Sequence, residues 1–395
     1  MGNNIITRRQ LLKRGALLAG GLSFAGGLLD KVQASPLVTN PVAPLVHGTE
    51  AWTDKDVALN APEVLKARLF ANENPFGPSD KAKKAIMDAL PTSYQYPFRS
   101  MGDLTKKIAD FEGVKQENIL MASGSSPLLL AAALCYSKPG GNVITGDPSY
   151  EDLPSRATRV GEKWVKVPLT ADFKLDLDAM EKAIDANTGL IYICNPNNPT
   201  ATVLDTAKLK SFCERVSKRV PVFIDEAYID YLPDPQGTTL IPMVNTGANI
   251  IVARTFSKLY GFAGLRIGYV VTQPEIIKDL SAHTEGSMSI SAPTLQAALA
   301  GYQDREYLDA ALKKTLASKE YLYEVLKKEG YTYVPSSANF VLFPIKMEGK
   351  QFTDEMMKRG VGVRFWKFNN KEWCRVSIGR MDEMEAFAAA FKELS

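Results

Sequence analysis

The sequence predicts an α/β fold, with helices covering a largely parallel sheet, on two observations. Short runs that are apolar on both faces and rich in β-branched or aromatic residues alternate with longer helical patterns. Polar or glycine-bearing segments follow the carboxyl ends of these runs, where open α/β sheets bind their ligands. The runs are ENILMAS (117–123), NVITGD (142–147), GLIYICN (189–195), PVFIDEA (221–227), NIIVART (249–255) and IGYVVT (267–272).

A smaller α+β lobe is predicted after about residue 295, where the pattern changes. Residues 305–330 carry leucines at helical spacing and end at Gly330. With 395 residues, 45% of them hydrophobic, the chain is long enough for two lobes. The leucines are Leu308, Leu312, Leu316, Leu322 and Leu326; three strand patterns and a closing helix follow as ANFVLFPI (338–345), VGVRFWKF (361–368), WCRVSIG (373–379) and MDEMEAFAAAFKEL (381–394).

The first 34 residues have the features of an export signal. A basic start precedes a weakly apolar run at residues 15–29, and a small-residue cleavage pattern ends at Ala34. The segment TRRQLLK (7–13) resembles the twin-arginine signal, which routes folded proteins across the membrane. We expect recognition by the twin-arginine export machinery, cleavage after Ala34 and a periplasmic location. A chance basic–apolar N-terminus and an uncleaved anchor are the alternatives. Residues 35–60 have the composition of a tether or arm.

Composition excludes several classes of site. The chain has two histidines, His47 and His283, which excludes a multi-histidine metal centre and argues against Ser–His or Cys–His catalysis. Without the leader, 42 basic and 43 acidic residues remain, so the charge gives no support for a nucleic-acid partner. The four cysteines show no CxxC spacing, and we expect buried thiols. Catalysis would then depend on lysine, carboxylates, tyrosine or a cofactor.

Four segments at strand ends carry the groups that one cofactor would need. The first segment, ASGSSP (122–127), precedes an apolar helix, and the free backbone amides at the start of such a helix favour a phosphate. The second segment, NPNNPT (195–200), offers the side chain of Asn198. The third segment, DEAY (225–228), offers Asp225, whose carboxylate lies in apolar surroundings and should therefore be paired. Taken alone, Asn198 is explained as a turn residue and Asp225 as a helix cap. The segments are ASGSSP (122–127), NPNNPT (195–200), DEAY (225–228) and RTFSKLYGFAGLRIGY (254–269).

Lys258, in the fourth segment, changes this interpretation. With Ser257 and Arg266 nearby it could simply bind an anion, but a lysine also forms a Schiff base with an aldehyde. A phosphate on the same molecule would need hydroxyls, an arginine and a helix start. An aspartate against a pyridine nitrogen would keep that ring protonated and able to absorb electrons. Together the four segments predict pyridoxal phosphate as the cofactor.

These segments resemble the signature motifs of the fold-type I, class I/II aminotransferases, in the family's order and over roughly residues 61–395. ANENPFGPS (71–79) and WCRVSIG (373–379) are similar to the histidinol-phosphate aminotransferase-like branch. The resemblance implies a large domain at 91–295 with a mainly parallel seven-stranded sheet, and a small α+β domain at 296–395. Residues 35–90 would form an N-terminal arm and part of the small domain.

The resemblance also implies roles for individual residues. Lys258 would carry the cofactor and move the substrate proton, Asp225 would pair with the ring nitrogen, and Tyr228 would tune the cofactor's phenolic oxygen together with Asn198. Tyr150 would stack on the ring. The phosphate would be held by Gly124, Ser125, Thr255, Ser257 and Arg266.

Further implied roles concern the partner subunit and the substrate. Tyr96 resembles the tyrosine that reaches the neighbouring subunit's phosphate, which implies a homodimer with shared sites. Arg375 resembles the arginine that grips a substrate carboxylate, and Arg364 and Asn74 would add substrate contacts.

Three departures from the family pattern concern the substrate more than the cofactor. Ala201 stands where a glycine usually follows the NPT motif, and Ser126-Pro127 replaces acidic residues after Gly-Ser. The segment EGSMSISAPT (285–294) lacks the usual aromatic–Asn pattern.

The predicted function is transfer of an amino group between an amino acid, or an amino-bearing metabolite, and a 2-oxo acid through a Lys258 Schiff base. An amino-acid racemase or lyase on the same scaffold is the alternative, and a non-catalytic protein that binds the cofactor is a remote one. The predicted export argues against histidinol phosphate itself, since histidine biosynthesis is cytoplasmic.

Overall fold

The structure, a computed structural model, describes residues 65–395. The predicted leader, its cleavage site and the arm through residue 64 lie outside the described residues. In chain order the strands are β1 (Ala67–Arg68), β2 (Ile119–Ala122), β3 (Asn142–Asp147), β4 (Lys163–Pro168), β5 (Thr188–Cys194), β6 (Val222–Asp225), β7 (Ile250–Thr255), β8 (Gly268–Val271), β9 (Phe340–Ile345), β10 (Val361–Gly362), β11 (Arg364–Phe368) and β12 (Lys371–Ser377).

The helices lie between and around these strands. They are α1 (Asp80–Ala89), α2 (Phe98–Glu112), α3 (Ser126–Tyr136), α4 (Asp152–Arg159), α5 (Leu177–Lys182), α6 (Thr206–Val216), α7 (Pro235–Thr238), α8 (Pro274–Ser281), α9 (Ala292–Gly301), α10 (Arg305–Lys328), α11 (Gly349–Lys358) and α12 (Met381–Lys392). None of those within residues 65–395 combines the length and apolarity needed to cross a bilayer.

A seven-stranded sheet, ordered β2-β8-β7-β6-β5-β3-β4, forms the large lobe. Its strands are parallel except β8, which is antiparallel to both neighbours. The predicted α/β class is therefore confirmed. The six apolar runs correspond to six of the strands, and β4 was missed because it lies at the edge, where much of it is exposed and its sequence is not a continuous apolar run.

Each face of this sheet packs into its own hydrophobic cluster. Along β5, Ile191 and Ile193 point into one cluster, whereas Leu190, Tyr192 and Cys194 point into the other, as the alternation of a strand requires. Because both faces are covered, the polar ends of β5, β6 and β7 are where these strands can meet a ligand.

The small lobe contains the antiparallel sheet β11-β12-β9 and a third hydrophobic cluster. The predicted 361–368 strand is divided into β10 and β11. β1 pairs with β10 in parallel, and the Ser377 amide donates to the Leu69 carbonyl at 2.9 Å, so the start of the described chain is fixed to its last strands. In α10, Leu316 is exposed although the leucine pattern included it, because Thr315, one position earlier, lies on the buried stripe.

Candidate active site

A cavity of about 210 Å³ lies where β5, β6 and β7 end. Segments that are distant in the sequence form its wall, including residues 71–73 before α1 and β12 of the small lobe. Most of the predicted site residues line it: Ser125, Tyr150, Asn198, Asp225, Tyr228, Thr255, Ser257, Lys258, Arg266 and Arg375.

Lys258 follows β7 and presents its amine to this cavity. Its Nζ donates to the Ala71 carbonyl at 3.4 Å and lies 5.3 Å from the ring centroid of Tyr228. A lysine held in this way beside an aromatic face can be used as a nucleophile and as a proton carrier.

Asp225, the last residue of β6, is buried, and both of its carboxylate oxygens accept hydrogen bonds. The Tyr192 hydroxyl donates to Oδ2 at 2.9 Å and the Ala227 amide donates to Oδ1 at 3.1 Å. Burial raises the pKa of Asp225 to about 6, opposed by these two hydrogen bonds and by the charge of Lys258. The carboxylate is thus held firmly and would gain from a cationic partner.

Ser257, Thr255 and Arg266 form a cluster of donors at one end of the cavity. The Thr255 hydroxyl donates to Ser257 Oγ at 3.0 Å and accepts from the Ser257 amide at 3.1 Å. The Arg266 side chain donates to the Ala263 carbonyl at 2.8 Å and lies against Gly124, where an added Cβ would meet its Nη2 at 2.3 Å. Only glycine at 124 leaves room for that guanidinium, and α3 begins beside it. These donors fit a phosphate.

Asn198 and Arg375 lie together in another part of the wall. Arg375 Nη1 donates to Asn198 Oδ1 at 2.7 Å, and Nη2 donates to the Phe70 carbonyl. The guanidinium carbon lies 4.8 Å from the Trp366 ring centroid and 5.3 Å from that of Phe340. The arginine is therefore buried and oriented, which suits recognition of an anion of fixed geometry.

Four predicted residues lie elsewhere: among residues 65–395, the cavity wall does not include Gly124, Tyr96, Asn74 or Arg364. Gly124 lies behind Arg266. Tyr96 is 75% exposed and borders a different surface depression beside α2. Its predicted contact is with a second subunit.

Asn74 is engaged away from the cavity, where a substrate contact had been predicted. Its amide donates to the Leu259 carbonyl at 2.6 Å and to the Tyr307 hydroxyl at 3.1 Å, while its oxygen accepts from the Phe76 amide at 3.0 Å. It joins the 71–79 segment to the segment after Lys258. The Arg364 guanidinium lies over the Trp366 ring, 4.4 Å from its centroid. In the antiparallel register of β11 and β12, Arg364 is opposite Arg375.

Two residues for which the sequence indicated no role have side chains that hydrogen-bond to Asp225 or Tyr228. Tyr192 was part of an apolar run, and nothing in its spacing distinguishes it from a core residue. Asn72 was part of the ANENPFGPS motif, yet no role was predicted for it. Its Nδ2 donates to the Tyr228 hydroxyl at 3.1 Å and its Oδ1 accepts from the Ser377 hydroxyl at 2.8 Å.

Ala201, which stands where the family usually has a glycine, adopts a backbone conformation that favours glycine. Ala201 is buried with φ 58°, in the left-handed region that favours glycine. Its amide donates to the Asn197 carbonyl at 2.7 Å, which closes the turn that carries Asn198.

Comparison with known proteins identifies the family. The sequence model of the family described as Aminotransferase class I and II matches residues 66–391. The chain belongs to this family. One relative of the aminotransferase is the histidinol-phosphate aminotransferase of Moorella thermoacetica, 35% identical over 377 residues, which are 93% of this chain and 96% of that one. The aromatic amino acid aminotransferase of Cutibacterium acnes is 33% identical, over 82% of this chain and 92% of that one.

Solved structures agree with this assignment. The aminotransferase superposes on the crystal structure of histidinol-phosphate aminotransferase from Sinorhizobium meliloti in complex with pyridoxal-5′-phosphate with a TM-score of 0.79 and 26% identity, over 87% of this chain and 94% of that one. The predicted fold class, the aminotransferase reaction and pyridoxal phosphate as the cofactor are confirmed. The phosphate cradle formed by Thr255, Ser257 and Arg266, the buried Asp225 carboxylate and the cavity-facing amine of Lys258 fit that cofactor.

Proposed function

We propose that this aminotransferase exchanges amino groups between a carboxylate-bearing amino donor and a 2-oxo acid after export from the cytoplasm. The observation that carries the proposal is the arrangement of one cavity. The Lys258 amine and the Asp225 carboxylate share it with a phosphate cradle, and the Arg375 guanidinium forms another part of its wall.

The chain's own residues divide the work on the cofactor. Ser257, Arg266 and the start of α3 would hold the phosphate, and Asp225 would accept a hydrogen bond from the ring nitrogen. Asn198 and Tyr228 would contact the phenolic oxygen. When bound, pyridoxal phosphate supplies an aldehyde carbon for amine attachment and a ring that absorbs electrons.

Lys258 would be the residue that moves the proton. Its Nζ would accept the Cα proton of the donor and would donate it at the carbon that carried the aldehyde, and a positioned acid–base group contributes about 10²–10⁴-fold to such a transfer. Asp225 would stabilise positive charge on the ring nitrogen. The ring of Tyr228 lies beside the Lys258 amine and would restrict the positions that this amine can reach.

Arg375 would select the donor by its anionic group. A guanidinium binds a carboxylate or a phosphate in the same bidentate manner. We favour a carboxylate, because the proposed export would place the enzyme away from the cytoplasmic biosynthesis of histidine, in which histidinol phosphate occurs. A phosphorylated amino donor is the second candidate, since several relatives are named histidinol-phosphate aminotransferases.

A second copy of the chain is the proposed partner. Large apolar side chains between α1 and the start of α2 are exposed, and Tyr96 lies among them. Covering this surface with another subunit would remove apolar area from water and could bring Tyr96 to the partner's phosphate cradle. The side chains are Met87, Leu90, Tyr94, Tyr96 and Phe98.

An absorbance spectrum of the purified protein tests the reaction. Adding L- and D-amino acids singly should replace the visible band of the lysine-bound cofactor with that of its amine form, and Lys258→Ala should lack the lysine-bound band. Phosphorylated amino alcohols in the same panel separate the two donor classes. A persistent band with exchange of Cα hydrogen for deuterium would favour racemisation, and absence of cofactor binding would refute the proposal.

Export is tested separately from chemistry. We propose that the Arg8-Arg9 pair directs the chain to the twin-arginine machinery. The wild type should be recovered from the periplasm beginning near Ser35, whereas the double Arg8→Lys, Arg9→Lys variant should stay in the cytoplasm. Equal distribution of the two would refute this route.

A further inference from the structure

Tyr192 is a buried tyrosine whose hydroxyl has one specific partner. It lies on β5 opposite Phe223 of β6, and its ring packs on Phe223 with centroids 5.9 Å apart. Since residues 223 and 225 point to the same face of a strand, the hydroxyl reaches Asp225 Oδ2 at 2.9 Å. Both residues are almost completely buried.

The hydroxyl is not needed to fill this space. Phenylalanine would make the same ring contacts, and a hydroxyl buried beside Leu190 and Phe223 destabilises the fold unless it is hydrogen-bonded. The tyrosine is also fixed as a donor, because burial raises its pKa well above the usual value and keeps it neutral. Its hydroxyl therefore donates one hydrogen bond, which the Asp225 carboxylate accepts.

The two hydrogen bonds to Asp225 come from two different elements. Tyr192 on β5 holds Oδ2, and the Ala227 amide after β6 holds Oδ1. The carboxylate plane cannot rotate without breaking both of them. A donated hydrogen bond also favours the ionised form of a carboxylate over the protonated form.

We propose that Tyr192 is a positioning residue that keeps the Asp225 carboxylate ionised and aimed at the cofactor's ring nitrogen, and so sets the acid limit of activity. This inference rests on the proposed role of Asp225. Tyr192 touches neither the substrate nor the cofactor in this scheme and acts only through Asp225.

Other titratable groups face Asp225 from the elements packed around it. The charge of Lys258, after β7, favours its ionised form, and Asp152, on α4, opposes it. Cys194 and Tyr228 also lie close enough to interact with it, and burial holds both of them neutral. Tyr192 is the hydroxyl that bonds the carboxylate directly, so removing it changes one interaction and leaves these charges in place.

Tyr192→Phe is the first test, with Tyr323→Phe as the matched control. Tyr323 is a partly buried tyrosine of the small lobe whose oxygen accepts from the Ser336 amide at 2.8 Å. We expect the acid limb of kcat/KM for Tyr192→Phe to move up by about one pH unit, a tenfold loss on that limb, because a hydrogen bond to a charged group is lost. Activity at pH 8 should change little, and the control should match the wild type.

Two further measurements separate positioning from general damage. The ¹⁵N chemical shift of ring-labelled cofactor should report less protonation of the ring nitrogen in Tyr192→Phe. Replacing Tyr192 by 3-fluorotyrosine, a more acidic phenol that keeps the hydroxyl, should move the acid limb in the opposite direction. If Tyr192→Phe folds poorly, the 3-fluorotyrosine variant still tests the proposal, because it keeps the hydroxyl.

The outcomes are distinguishable. An unmoved acid limb and an unchanged ¹⁵N shift in Tyr192→Phe, with the cofactor band intact, would overturn the role of Tyr192 alone. An equal shift in Tyr323→Phe would overturn it as well. If Asp225→Asn leaves ring protonation unchanged in the wild-type background, the role of Asp225 fails, and the inference fails with it.

Discussion

At the phosphate cradle, the hydrogen bonds join residues that are close in sequence, whereas at Arg375 they join distant parts of the chain. Thr255 bonds Ser257 two residues away, and Arg266 reaches Ser257 across nine residues. Arg375 instead bonds Asn198 across 177 residues and Phe70 across 305, and Ser377 bonds Asn72 across 305.

This difference separates two tasks. The cradle and Asp225 are placed by strand ends of a single sheet, so the cofactor half of the site depends mainly on that sheet. Lys258, Tyr228 and Asn198 also contact residues outside it. The substrate half forms only where residues 70–73 and β12 pack against the large lobe. Changes in the small lobe should therefore alter substrate selection while leaving cofactor binding in place.

The largest effect should come from Lys258→Ala in the cofactor half. Transamination should fall by about 10³-fold or more, because the variant loses both the covalent attachment point and the proton carrier. Single-turnover absorbance measures this loss. Lys327→Ala, which removes an amine 6.0 Å from the Tyr333 ring centroid in the small lobe, should keep wild-type turnover. Retention of a tenth of the activity in Lys258→Ala would contradict the assigned role.

Asp225→Asn should stabilise the cofactor-free protein in a pH-dependent way. The folded-state pKa of Asp225 is raised to about 6 by burial, above its unfolded value, so the folded state binds the proton more tightly. Wild-type stability from this group is present below about pH 4 and is lost as the pH rises through 6. The variant's relative gain should reach about 3 kcal/mol by pH 7.

Urea unfolding of the apoprotein between pH 4.5 and 7.5 measures this gain. Bound cofactor should diminish it, because a protonated ring nitrogen favours the ionised carboxylate. Asp309→Asn, at an exposed ion pair with Arg305, is the control and should show no such dependence. If the stability gain of Asp225→Asn is the same at every pH, burial does not raise the pKa of Asp225.

Arg375→Lys tests the substrate half. The lysine keeps the charge but loses the bidentate fork, so kcat/KM for a carboxylate donor should fall about 10–100-fold, the equivalent of one strong charged hydrogen bond. Cofactor affinity, followed by absorbance titration, should remain within a few-fold. Arg364→Lys, whose guanidinium lies over Trp366, should have little effect. An equal loss in both variants would point to general disruption of β11 and β12.

The smallest effect concerns the loop that links the two halves. Ala201 adopts φ 58° and its carbonyl accepts from the Ser337 amide at 2.8 Å. Ala201→Gly should destabilise the fold by about 1–2 kcal/mol less than Ala253→Gly, because both lose a buried methyl but only the first relieves a left-handed alanine. Denaturant unfolding of both variants measures the difference. Equal losses would mean that the loop is not strained.

The sequence predicted the cofactor half better than the substrate half, and the reason is physical. Strands buried on both faces leave continuous apolar runs, and their ends mark Asp225 and Lys258. Edge strand β4 leaves no such run and was missed. The turn of Asn74 toward Leu259 and Tyr307 depends on α10 packing from 233 residues away, which no local spacing encodes.

The pairing of β1 with β10 and of Phe70 with Arg375 has a consequence for the order of assembly in time. Closing a loop of some 300 residues requires a large loss of chain entropy, so contacts of this range form late in folding. During synthesis, the cradle residues 255–266 leave the ribosome before β12, which carries Arg375. We therefore expect the protein to acquire its place for a cofactor before it acquires any preference for a substrate.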